Sequence, residues 1–179
     1  FRIPTSTKGA LFVSLRAAYM NLLYGQWLKV DNTQMNYHFQ DYNLTYLHQS
    51  NSQNKLWLNF YYGNDNVGMT ETDITSDIQL KWKNILASAS WQHQTENSIL
   101  THQLYFTGYD NMFDMQTEGC DFHLPSHIYS YGYKGKWEYC HLETGIDIAF
   151  HHVQPQKPQI TGTSQIAHHT QQEMKSQEY

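Results

Sequence analysis

Long stretches of this chain alternate apolar or aromatic residues with polar ones, and a period of two restricts them to extended strands with one greasy and one wet face. In Lys55–Gly63, the residues Leu56, Leu58, Phe60 and Tyr62 share a face. In Leu142–Phe150, Leu142, Ile146, Ile148 and Phe150 fall on one side, opposite Glu143, Asp147 and then His151. A water-soluble sheet carries such a pattern, and so does a barrel wall that meets lipid. The solvent on the greasy face therefore decides the function.

Seven runs read as strands, at about 10–18, 37–49, 55–67, 78–93, 98–110, 127–139 and 141–152. The sixth alternates most cleanly, with Tyr129, Tyr131, Tyr133, Trp137 and Tyr139 opposite Ser130, Lys134, Lys136 and Glu138. Between the first two runs, Met20, Leu23, Tyr24 and Trp27 recur at helical spacing, which predicts a short helix within Tyr19–Lys29. Residues 153–175 form a polar stretch without periodicity, read as a loop, and Ser176–Tyr179 reads as the start of an eighth strand.

The connections sort by length. Ser50–Asn54, Gln94–Asn97 and the reversal at Cys140-His141 are short, whereas 19–36, 69–77, 111–126 and 153–175 are long. In an antiparallel up-and-down meander, alternate connections lie at opposite ends. The expected fold is therefore all-β, with tight turns at one end and loops at the other, as in a partial transmembrane β-barrel.

Composition narrows the partners. Fourteen Tyr and five Trp with only 15% charged residues suit the interfacial girdles of a membrane barrel, and equally a carbohydrate-binding surface. A net charge of −5 with no basic run argues against nucleic acid. No run approaches ~18 consecutive apolar residues, which excludes a transmembrane helix but not a barrel. Phe1-Arg2-Ile3-Pro4 is neither an initiator Met nor a signal-peptide core, so the chain reads as a mature product or as a piece of something longer.

Chemistry-bearing residues are scattered. His151-His152 are adjacent on a strand and point to opposite faces, so they do not share one ion; His168-His169 lie in the polar loop. Asp110, Asp114, Glu118 and Asp121 fall in one predicted loop, without the central Gly and terminal Glu of an EF-hand. Glu143 and Asp147 share a strand face, but no GxSxG, HExxH or phosphate-binding Gly loop accompanies them. The sequence supports no catalytic residue, no metal ligand set and no cofactor, and the chain is not expected to be an enzyme. Cys120 and Cys140 are placed at opposite ends of the sixth strand, and a disulfide would require a fold that brings their Cα atoms within about 7 Å, as a compact sandwich would.

Leu11-Phe12-Val13-Ser14-Leu15-Arg16-Ala17-Ala18-Tyr19-Met20-Asn21-Leu22-Leu23 resembles the opening of the barrel domain in TonB-dependent receptors of the Bacteroidetes type. Tyr37–Tyr46 followed by Leu56–Asp65 is similar to that family's next hairpin, with its strand-final Tyr61-Tyr62-Gly63-Asn64-Asp65. Asn84–His93, and Gly145–His151 followed by Pro155, continue the series in order, so the resemblance covers 10–155. Arg16-Ala17 replaces the paired Arg usual in the family. The resemblance implies the early part of a barrel of about 22 strands, without plug domain or TonB box. It further implies a bacterial outer-membrane location, contact with outer-membrane lipid, import of a scarce nutrient, and TonB (through the plug) and a surface lipoprotein as partners. A segment of this size would not transport alone. The rival expectation is a secreted β-sandwich that binds carbohydrate.

Overall fold

The computed structural model describes residues 1–20, 24–25, 29–30, 32–71, 73, 76–162 and 174–178. They form one antiparallel sheet of β1 (Arg2–Ser6), β2 (Gly9–Tyr19), β3 (Lys29–Val30), β4 (Thr33–Gln49), β5 (Asn54–Glu71), β6 (Ser76–Gln94), β7 (Ser98–Thr117), β8 (Cys120–Tyr139), β9 (Leu142–Gln154), β10 (Gln159–Gly162) and β11 (Met174–Glu178). The order across the sheet is β1-β2-β4-β5-β6-β7-β8-β9-β11, with β3 beside β4 and β10 beside β8. The expected up-and-down meander is what forms. β1 and β11 do not pair with each other, so the sheet of described residues is open.

The seven expected strands are all present, but four extend well past their predicted ends. Residues 111–126 are not a loop: β7 and β8 pair without a break from Asp110↔His127 to Thr117↔Cys120, leaving only Glu118 and Gly119 to turn. Gly119 supplies the positive φ (82°) that so tight a reversal needs. Strand takes up 69–71 and 76–77 of the predicted loop 69–77, because β5 and β6 pair out to Glu71↔Ser76. β4 begins at Thr33 rather than Tyr37, and Lys29–Val30 adds a short strand to it.

The polar stretch 153–175 also contributes strand. β9 continues to Gln154, and β10 pairs with the Cys120 end of β8. The predicted eighth strand is realised as β11, which pairs with β9 from Met174↔Val153 to Glu178↔Ala149. Met20 and Tyr24 are helical, while the rest of the predicted helix at 21–23 and 26–28 lies outside the described residues, as do His168 and His169. The N-terminal hairpin formed by β1 was not anticipated; its run of five residues is too short to show a period.

Cys120 is the first residue of β8 and Cys140 follows its last, so a 20-residue strand separates two free thiols. At about 3.3 Å per residue that is a separation of roughly 60 Å. The two ends of the sheet are named below by these cysteines. Cys140 itself turns with φ of 51°.

The sheet is a single layer. Among the described residues no large side chain is fully buried, and Ala10 is the one hydrophobic residue in the buried class. Leu104 is 62% exposed, Leu15 60%, Leu142 58% and Tyr131 54%. An isolated domain in water covers such a sheet with a second layer. Here the covering must come from outside the described residues.

Candidate membrane interface

Cross-strand partners lie on the same face of a sheet, so the register sorts every side chain. One row runs Leu15, Tyr42, Tyr62, Ile85, Gly108, Tyr129, His152 across seven strands. Two residues nearer the Cys140 end comes Val13, Leu44, Phe60, Ala87, Phe106, Tyr131, Phe150, and then Leu11, Tyr46, Leu58, Ala89, Leu104, Tyr133, Ile148. Together they make an apolar belt without a charged residue. On β7 the belt spans Leu100–Gly108 and on β8 Tyr129–Tyr139, nine and eleven residues. A tilted strand needs about 9–11 residues to cross the hydrocarbon of a bilayer.

Both margins of the belt carry rings. Towards the Cys140 end, Trp91 stacks on His102 (5.6 Å between ring centres, 9° between planes), His102 on Tyr133, Tyr46 on His48, and Trp137 on Tyr139. Towards the Cys120 end, Tyr19 stacks on His38, Tyr42 lies against Tyr62, and His127 lies against Tyr129. Ring pairs thus lie towards both ends of the belt, at two levels along the strands. The stripe on β8 expected from sequence is part of this surface. A groove of about 780 Å³ on the belt is lined by the small Ala87 and Ala89 of β6 beside Leu104, Phe106 and Tyr131.

Behind the belt, the reverse face is polar and internally bonded. Thr45, Asn59 and Ser88 form a hydrogen-bonded row (3.0 and 3.2 Å), and Ser130 Oγ lies 2.6 Å from His151 Nδ1. Asp41 takes an ion pair from Arg16 and a hydrogen bond from Tyr61. Glu143 pairs with Lys136 at 3.0 Å and Asp147 with Lys134 at 3.0 Å. The two carboxylates singled out in the sequence are thus engaged in cross-strand ion pairs rather than aimed at a common point.

Beyond the belt, towards the Cys120 end, the polarity of the two faces changes over within a few residues. The next belt-side row is Ala17, Gln40, Asn64, Lys83, Asp110, His127, Gln154. Further on come Gln79, Asp114 and His123, then Asp77, Gln116 and Asp121. The reverse face there becomes apolar, with rows Tyr37, Val67, Leu80, Phe113, Leu124 and Met35, Met69, Ile78, Met115, Phe122. Burial, aided by neighbouring Asp65, raises the Tyr37 phenol above its ordinary pKa. The sheet thus has a greasy face at both ends, but on opposite sides.

The acidic residues of the predicted loop are spread along this extension. Asp110 accepts a hydrogen bond from Tyr129 (2.7 Å), Asp114 pairs with His123, Glu118 sits in the turn, and Asp121 shares a row with Asp77. Among the described residues no three of His, Cys, Asp or Glu gather around one point. His151 and His152 take opposite faces, as their adjacency requires. The histidines of the belt margins (His48, His93, His102) were not read from sequence as interfacial, although each falls in phase with apolar neighbours.

Comparison of the chain with protein-family models, with curated proteins and with solved structures gave no match.

Proposed function

We propose that this chain is a stretch of the wall of an outer-membrane β-barrel of the TonB-dependent receptor type, and that the barrel imports a scarce nutrient. The observation that carries the reading is the belt: seven strands wide, one bilayer high, ring-margined, free of charge and exposed. The hydrogen-bonded polar face behind it supports a water-filled interior. Strands of 17–20 residues in β4–β8 support a wall that continues past the hydrocarbon, since strands of globular domains run about 3–10 residues. The ordered likeness of 10–155 to receptor barrels supports this choice of family, and with it TonB and a surface lipoprotein as the proposed partners. The free edges at β1 and β11 call for further strands, and transport belongs to the closed barrel with its plug.

Tryptophan quenching by lipids brominated in the acyl chains tests the belt. Trp91 and Trp137 lie on it, whereas Trp57 and Trp82 lie on the reverse face. In single-tryptophan variants reconstituted in bilayers, Trp91 and Trp137 are expected to be quenched several-fold more than Trp57 and Trp82. Equal quenching of the two pairs would remove the basis for the reading.

A further inference from the structure

We propose that His127 and His152 form a two-imidazole site for a divalent transition-metal ion of the Zn²⁺ class. Sequence adjacency hides the pair, because His152 has its neighbour His151 on the other face, bonded to Ser130. The register instead brings His152 of β9 diagonally beside His127 of β8, with ring centres 5.7 Å apart and planes 31° apart. Two imidazoles on one tetrahedral ion, with Zn–N of about 2.0–2.1 Å, have centres about 5 Å apart. The observed spacing is about 0.7 Å wider than that.

The pair is also chemically available. His93, His102, His123 and His151 each have a ring nitrogen in a hydrogen bond or ion pair. Neither His127 nor His152 has such a bond among the described residues, and both are partly exposed. Asp110 lies across from His127 on β7, with Lys83 opposite it on β6 and Lys175 opposite His152 on β11. The Asp110 carboxylate is held by Tyr129, so water completes the coordination. Imidazole donors favour Zn²⁺, Ni²⁺ and Cu²⁺ over Mg²⁺ or Ca²⁺. The bound ion would staple β8 to β9 at the Cys120 margin of the belt, where the polar row of Lys83, Asp110, His127 and Gln154 lets water reach it.

The test is a Zn²⁺ titration of the full chain in detergent micelles, followed by imidazole nitrogen NMR, with His168→Gln and His169→Gln removing two further histidines. The His127 and His152 signals should shift together with one midpoint, while Mg²⁺ shifts neither. His152→Gln should weaken the His127 response at least tenfold, His151→Gln should leave it intact, and the amide spectrum of β8 and β9 checks that each variant is folded. Separate midpoints, or a His127 response that survives His152→Gln in the folded variant, would overturn the site.

Discussion

Tyr105 lies directly across β7–β8 from Gly132 and occupies the space a side chain there would need. A Cβ built on Gly132 falls 2.6 Å from the Tyr105 hydroxyl and 2.5 Å from the backbone oxygen of Ile148. Lys134 caps the same ring, its ammonium 5.5 Å from the ring centre. The glycine lets a large ring lie flat on the reverse face, in the middle of the belt's span.

Gly132→Ala should therefore destabilise the sheet by about 1–3 kcal/mol, the usual cost of overpacking. Adding Tyr105→Ala should recover only part of that loss, because the Ile148 carbonyl cannot move aside as a ring can. Denaturant midpoints of the single and double variants in one detergent measure both effects.

Charge on the two faces should separate sharply at neighbouring positions. Leu104→Arg, on the belt, is expected to cost about 2–4 kcal/mol in a bilayer. Gln103→Arg, one residue away on the reverse face, should cost well under that: its cost is repulsion from Lys134 opposite, which Asp147 already neutralises in part. Equilibrium unfolding from liposomes, with equal costs at the two positions as the contrary result, checks the sidedness.

The cysteines report the two ends. In cells carrying the assembled barrel, a membrane-impermeant maleimide should label one of Cys120 and Cys140 from outside, and reach the other only after the outer membrane is permeabilised. Both thiols are free and neither is in the buried class. Labelling of both at the same rate in intact cells would contradict a sheet that crosses the membrane between them.

Ser130 is the one buried polar residue among the described residues, and its hydroxyl meets His151. Ser130→Ala should cost about 1 kcal/mol, the net worth of a part-buried hydrogen bond plus the partner left unpaired. Ser130→Thr, which keeps the hydroxyl, should cost less in the same unfolding assay.

The belt was legible in the sequence because each strand alternates in a fixed phase across it, as Leu56, Leu58, Phe60 and Tyr62 do. The strand extensions were not, because the phase reverses where the belt ends. On β7, Leu104 and Phe106 are even-numbered apolar residues, while Phe113 and Met115 are odd, and the polar Asp110-Asn111 between them mimics a loop. A period broken by reversal looks the same as no period. Pairings were invisible for another reason: His127 and His152, or Asp41 and Arg16, meet only through register, which no single strand encodes. The clustering of acids at 110–121 was real as sequence, but an extended strand spreads at about 3.3 Å per residue what a loop would gather.

Spin labels placed singly along β7 from Ile99 to Gln116, in a variant lacking both cysteines and reconstituted in lipid, test the central claim most directly. From Leu100 to Gly108, even positions should be accessible to oxygen and odd positions to a water-soluble nickel chelate. From Asp110 onward the even positions should instead favour the chelate. One phase held along the whole strand, or chelate access to both faces within Leu100–Gly108, would contradict a lipid-facing belt bounded at that row.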